Sequence, residues 1–361
     1  MNRLLKTFLF IFAGVSIFIT ACGENRQQNI KYTMEEFASS EKQWTGAAVS
    51  AEGRIFVNYP RWSADVPVSV AELKNAGEVI PYPDETWNNW APDKSPAEHF
   101  VCVQSVYVDR DNYLWILDPG MVAGQGVIDG GAKLLKIDLK TDRIVQKIFF
   151  DEKTALKTSY LNDVRVDTKR KFAYITDSGT GAIVVVNLSS GESRRLLSDH
   201  ASTKAEDIIL IIEGENWAQP GQNSPKINSD GIALDKTGEY LYYQALTGRN
   251  LYRIKTEFLR DESLSEEELG NKVEHVGESG ASDGIVFGPD GNLYLSSLEF
   301  NAVRRFTPDK KVEMVVQDPG LKWPDSFAIT EDGTIYVTTS QIHLGPNRTE
   351  PYKIFKLVPE K

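Results

Sequence analysis

The chain has 361 residues, 41% of them hydrophobic and 25% charged, which fits a folded protein with a sizeable core and excludes a disordered or fibrous chain. Its formal charge of −11 disfavours nucleic acid as a partner, because phosphates demand a basic face.

The N-terminus reads as an address. Arg3 and Lys6 precede an apolar stretch from Thr7 to Ile19 and then Thr20-Ala21-Cys22-Gly23, which predicts a signal peptide over 1–21. Ile19-Thr20-Ala21-Cys22 resembles the bacterial lipobox, in which the Cys receives lipid and becomes the mature N-terminus. That pattern predicts lipidation at Cys22, a polar tether over 22–33, one domain over 34–361 and a membrane-anchored place in the cell envelope. Plain cleavage near Ala21 is the alternative. The apolar run is shorter than the roughly 20 residues a spanning helix needs. Cys102, flanked by Val101 and Val103, then has no partner for an internal disulfide and reads as a buried apolar cysteine.

One unit recurs along the rest of the chain: a polar residue, a short strand of alternating apolar residues, a polar turn, and a second strand rich in Tyr, Val and Ile. Six copies start at Thr45, Gln104, Asn162, Asp230, Asp283 and Asp325. Aligned eight residues further on are the turn residues Gly53, Asn112, Arg170, Gly238, Gly291 and Gly333, of which only Arg170 is a poor turn-former. Each copy reads as a hairpin. Further strand pairs follow over 132–150, 181–197 and 301–317. Four strands per unit of about 40–50 residues is the pattern of propeller blades, so the fold class is all-β, a six-bladed β-propeller. Residues 198–229 read as an insertion, and the acidic run 261–269 as a short helix with a solvated face.

In a propeller the inner strands line a central channel, so the six opening residues should meet at one mouth. All six are polar, while the positions two and four residues on are apolar. Three carboxylates beside two amides offer only oxygen ligands, which suit Ca²⁺ or Mg²⁺ rather than Zn²⁺; without a cation the like charges raise one another's pKa values. The alternative is that each Asp bonds nearby backbone in a tight turn at Gly231 or Gly284. Among the histidines, His99 and His343 sit in loops that can reach the channel and are the candidates for proton transfer. Trp87, Trp90, Trp217 and Trp323 also lie between strands, either as walls of a pocket for a flat or cationic ligand or as caps on the core.

Several stretches resemble the Yellow/major royal jelly protein family: YPRWSADVPVSV from Tyr59, PYPDETWN from Pro81, Val103 to Asp109 leading into Leu114 to Asp118, Leu161 to Asp167, and Ala173 to Ser178 with Gly191 to Arg195. The resemblance runs from Trp44 to the C-terminus and implies a six-bladed propeller. It also implies either dopachrome-type tautomerisation or binding of small amines at the channel mouth. A more distant resemblance to the regucalcin/gluconolactonase propellers rests on Asn162 and on Asp230 in Asn228-Ser229-Asp230-Gly231. It implies a calcium-dependent lactonase, with Asp283 as a substitute ligand and Thr45 standing where that group has Glu. The expected roles are therefore catalysis by Asp230, Asp283 and His99, ligand contacts from Gln104, Asn162, Asp325, His343 and Trp323, and a possible metal set of Asn162, Asp230 and Asp283. Three classes stay open: a small-molecule binding protein, a metal-free tautomerase and a metal-dependent lactonase or esterase.

Overall fold

Alternating apolar residues around polar turns build six four-stranded antiparallel sheets, arranged as the blades of a β-propeller. The structure is a computed structural model that describes residues 30–74 and 77–360. The expected signal peptide, Cys22 and most of the tether fall outside the described residues. Among the described residues no helix is long and apolar enough to cross a membrane.

Blade 1 runs through Ala47–Val49, Ile55–Asn58, Val70–Lys74 and Glu78–Pro81, and blade 2 through Ser105–Val108, Tyr113–Asp118, Lys133–Asp138 and Arg143–Phe149. Blade 3 comprises Leu161–Asp167, Phe172–Asp177, Ala182–Asn187 and Ser193–Leu196; blade 4 comprises Ser229–Leu234, Tyr240–Ala245, Asn250–Lys255 and Glu274–Glu278. Blade 5 is Ser282–Phe287, Leu293–Ser297, Ala302–Phe306 and Val312–Gln317. Blade 6 takes Pro324–Ile329, Ile335–Thr339 and Tyr352–Pro359 from the C-terminus and its outer strand, Tyr32–Ser40, from the N-terminus. That pairing closes the ring, and its first residue precedes the expected domain boundary at 34. The acidic run forms a helix over Glu266–Gly270, opened by a Ser265/Glu268 capping box.

Apolar layers fill the spaces between blades. Trp115 and Leu117 of blade 2 pack against Val164 and Val166 of blade 3, and Tyr174 and Ile183 of blade 3 against Tyr243 and Ile254 of blade 4. A fully buried Val, Leu or Ile side chain contributes roughly 1.5–3 kcal/mol. A polar zipper adds register at the channel: Asn58 Nδ2 donates to the Gln104 carbonyl at 2.8 Å, Thr176 Oγ1 to the Asp230 carbonyl at 2.6 Å and Thr338 Oγ1 to the Thr45 carbonyl at 2.5 Å. Each bond ties a second strand to the opening residue of the next blade, so the zipper sets where those residues stand.

Candidate functional site

The inner strands of blades 3 to 6 each break register where they open, between Leu161 and Val164, Ser229 and Ile232, Ser282 and Ile285, and Pro324 and Phe327. Such bulges re-aim side chains, and here they turn two residues per strand away from the ladder. Gly231 and Gly284 serve this approach rather than a tight turn. A Cβ on Gly231 would stand 2.5 Å from the Asp283 carbonyl oxygen, and one on Gly284 would collide with the Asp325 carbonyl. Only glycine lets neighbouring blades come this close.

The result is a cluster of carboxyls at the mouth. Asp230, Asp283 and Asp325 are buried, at 2%, 7% and 3% exposure, and influence one another electrostatically. Burial, then the charges of Asp283, Asp163 and Asp325, hold the Asp230 carboxyl well above the usual carboxylate range, and hydrogen bonding to Asp283 raises it further. Burial also pushes Asp283 up to about 7, against the pull of a Trp323 indole N–H at 2.7 Å from its Oδ2. Asp325 is raised well above its ordinary value by burial and by Asp283. Side by side stand a proton-bearing acid and a base that titrates near neutrality, the pairing acid/base chemistry uses.

Donors reach the cluster along a chain whose direction is fixed at its far end. Trp62 Nε1, which can only donate, gives its proton to Tyr160 Oη at 2.6 Å. Tyr160 in turn donates to Gln104 Oε1 at 2.8 Å, Gln104 Nε2 to Asn162 Oδ1 at 3.3 Å, and Asn162 Nδ2 to Asp230 Oδ2 at 2.7 Å. Asn162 therefore turns its N–H, and not its carbonyl oxygen, toward Asp230. That orientation bears on the calcium reading. A cation needs oxygens facing it, yet the amide presents a donor, Trp323 presents another to Asp283, and Thr45 is held in the wall by bonds to Gln104 O and from Asn58 Nδ2. Among the described residues no group of three or more His, Cys, Asp or Glu side chains is arranged to hold a metal ion. The residues present do not fit a resident cation.

Gln104, Asn162, Asp230, Asp283, Asp325 and Trp323 are thus brought together, and Thr45 adjoins them through its bond to the Gln104 carbonyl. His99 bonds the Ser95 carbonyl at 2.9 Å, four residues back in its own loop, and makes no contact with the aspartates. His343 approaches indirectly: it stacks on Trp323 at 5.8 Å and bonds Glu213 at 2.8 Å. Glu213 belongs to the insertion, whose hairpin Ile211–Ile212 with Glu215–Asn216 lies over blades 5 and 6 and lays Trp217 edge-on against Trp323 at 4.8 Å. The cluster is therefore roofed rather than open as a cup. Trp323 is fully buried with φ of 54°, a left-handed conformation that bulky residues adopt only under strain. Trp87 packs on Phe100 as a core cap. Cys102 is buried and its thiol is pushed up to about 12 by burial and by Asp118.

Two further residues escaped the reading of the sequence. Asp163, beside Asn162 in the bulge, adds a fourth carboxyl whose charge is felt by Asp230, Asp283 and Asp325. Arg165 crosses the channel from blade 3 to bond the Ile285 carbonyl of blade 5 at 3.0 Å, lies over the Tyr107 ring and stands 3.7 Å from Asp163. It plugs the channel. A doublet of polar residues opening a strand, and a charge within an otherwise apolar strand, were the signals for them.

The comparisons with known proteins agree with this architecture. A regucalcin described as a calcium-binding protein, from Agrobacterium tumefaciens, superposes with a TM-score of 0.58 at 16% identity, covering 91% of this chain and 95% of that one. A gluconolactonase from Xanthomonas campestris gives 0.55 at 14%, covering 91% and 90%. At such identities the likeness is one of fold. In sequence, the chain is 24% identical to Protein yellow of Drosophila subobscura over 317 residues, 80% of this chain and 54% of that protein. It spans about half the length of that relative. The profile of the major royal jelly protein family matches residues 101–356, most of the propeller and all four bulged strands, and the chain belongs to that family.

Proposed function

We propose that the protein is an exported, lipid-anchored propeller that binds a small cyclic or aromatic ligand at the channel mouth and exchanges protons with it through Asp230 and Asp283. One observation carries this reading: Asp230, Asp283 and Asp325 are buried together and each is raised by burial and by neighbouring carboxyls, at a cost to stability that blade packing does not require. The strained Trp323 that bonds one of them points the same way.

In its isomerase form, Asp283 takes a proton from a ring carbon while Asp230 gives one to the carbonyl oxygen of the same ligand. The hydrogen bond between the two carboxyls then returns the proton to Asp230, so the cycle balances without a cofactor. A dopachrome-type tautomerisation is a reaction of this kind. Trp323 and Trp217 roof the pair, so binding requires the insertion to lift. The lactonase alternative is less well supported, because the Asn162 amide and the Trp323 indole turn N–H donors rather than oxygens toward Asp230 and Asp283.

The test uses the propeller from residue 23 onward. Catechols, indoles and amines are screened by thermal shift, and dopachrome conversion is followed by absorbance with and without chelator. Stabilisation or turnover that survives chelation and is lost in Asp283→Asn supports the reading. A rise of several degrees in Tm with Ca²⁺, together with lactone hydrolysis, replaces it with the alternative. For the anchor, the full chain in a bacterial host should partition with membranes, and Cys22→Ser should release it.

A further inference from the structure

The surface is also hollowed away from the mouth. A cleft of about 190 Å³ opens where blades 1 and 2 meet, bordered by Arg61, Trp62, Trp90, Val101, Met121 and Val122 among others. We propose that this cleft is a second binding site, for a flat aromatic molecule of one or two rings that is neutral or anionic.

Size comes first. A cleft of about 190 Å³ has room for a single or fused ring. The walls choose flatness. Two indoles offer faces and edges for stacked or edge-on contacts, and the Met121 thioether is a soft, adaptable neighbour to a ring. Trp62 is 39% exposed, so a ligand covering it removes apolar surface from water. Its indole is also held in place by the 2.6 Å bond to Tyr160, so little freedom is lost when a ring stacks on it.

Charge decides the rest. Arg61 is the one charged residue lining the cleft. It cannot swing away, because Nη1 is bound to the Val66 carbonyl at 2.6 Å and Nη2 to Ser69 Oγ at 3.2 Å. A fixed positive charge in a half-dry wall favours an anion and opposes an ammonium group. The preference is thus opposite to that of the acidic mouth, although Val101 lies only three residues, at most about 10 Å of chain, from Gln104. The cleft and the mouth are neighbouring sites with different ligands, and the proposal does not rest on the chemistry assigned to the aspartates.

Titration calorimetry on the full chain tests it with four probes: indole-3-acetate, indole, tryptamine and cyclohexylacetate. Indole-3-acetate and indole are expected to bind one per chain, with tryptamine and cyclohexylacetate at least tenfold weaker. Trp90→Ala should weaken indole-3-acetate at least tenfold, and Met121→Trp, which fills the cleft from a partly exposed position, should do the same in a chain whose melting is unchanged. Binding that survives both variants and disappears in Asp283→Asn belongs to the mouth and overturns the proposal. Tryptamine binding more tightly than indole-3-acetate in the cleft overturns the charge assignment, and equal affinity for cyclohexylacetate overturns the aromatic one.

Discussion

Asp118 and Asp177 are as deeply buried as Asp230, Asp283 and Asp325, yet the two sets live in opposite surroundings. Asp118 accepts the backbone N–H groups of Val101, Cys102 and Gly120 and pairs with Lys133 at 2.7 Å. Asp177 accepts those of Tyr160 and Gly179 and pairs with Arg195 at 2.6 Å. Burial alone would push Asp177 up, but Arg195 and these donors outweigh it and hold it below its ordinary value. The mouth aspartates have one another instead, and each is raised. Burial of a carboxylate is thus uninformative until its partners are counted. The structural pair also serves the other set, since Asp118 pins the loop that delivers Gln104, and Asp177 pins Tyr160 in the donor chain to Asp230.

The largest effect should come from breaking a satisfied pair. Lys133→Met leaves the Asp118 carboxyl in a dry interior with its backbone donors but without the ammonium 2.7 Å away. Stability should fall by about 3–5 kcal/mol, read as a lower urea midpoint at pH 7. The double variant with Asp118→Asn should recover much of that loss. A Lys133→Met protein as stable as wild type would mean that the pair is dispensable and the contrast between the sets false.

Asp283→Asn should act with the opposite sign. The folded protein holds a proton on Asp283 up to about pH 7, whereas the unfolded chain releases it near pH 4. The stability this group contributes is therefore present below the unfolded pKa and lost as pH rises through the folded one, to a total of about 4 kcal/mol by pH 8. The Asn variant should lack that loss and melt above wild type at pH 8. Asp177→Asn supplies the mirror image. Its lowered pKa contributes stability present above the unfolded value and lost as pH falls through the folded one, so the variant should be the weaker protein at pH 7 and approach wild type in acid.

A finer cut separates the donor from the ring that carries it. Trp323→Phe keeps an aromatic face between Trp217 and His343 but removes the N–H from Asp283. The midpoint of the Asp283 transition should move above about 7, with a loss of roughly 1–3 kcal/mol where the carboxylate is charged and little below pH 5. A pH-independent loss would assign the residue to packing alone.

These contrasts were only partly legible in the chain. The six hairpins could be read because inner strands alternate with period two around turns that declare themselves at Gly53, Asn112, Gly238, Gly291 and Gly333. The third copy was the poor match for a physical reason: its strand runs through Asp167, and Lys171, one place beyond the aligned Arg170, takes the left-handed conformation with φ of 62°. The closing strand Tyr32–Ser40 had no local signal, since its partner lies at the far end of the chain. At the mouth the opening residues were legible as a polar ring, but a strict alternation assigns one residue per strand to the channel, and the bulges turn out two. That hid Asp163. The reach of Trp323 to Asp283 and of Trp62 to Tyr160 depends on loops folding over from other blades, and no spacing in the sequence encodes it. Asp118 and Asp177 were visible within stretches that mark the family, yet nothing in those stretches distinguished a satisfied aspartate from an unsatisfied one.

The smallest expected effect is also the sharpest check on the comparison. Ser326 Oγ lies 3.4 Å from Asp325 Oδ1, at the limit of a hydrogen bond. Bonds to a charged acceptor contribute more than bonds to a neutral one, roughly 1.5–3 against 0.5–1.5 kcal/mol. Burial and Asp283 raise Asp325 well above its ordinary value, which favours the neutral carboxyl, so Ser326→Ala should cost less than about 0.5 kcal/mol at pH 7, within the range of ordinary exposed substitutions. If chemical denaturation instead shows a loss above 1.5 kcal/mol, Asp325 is ionised in the folded protein. The mouth would then belong with Asp118 and Asp177 rather than opposite them.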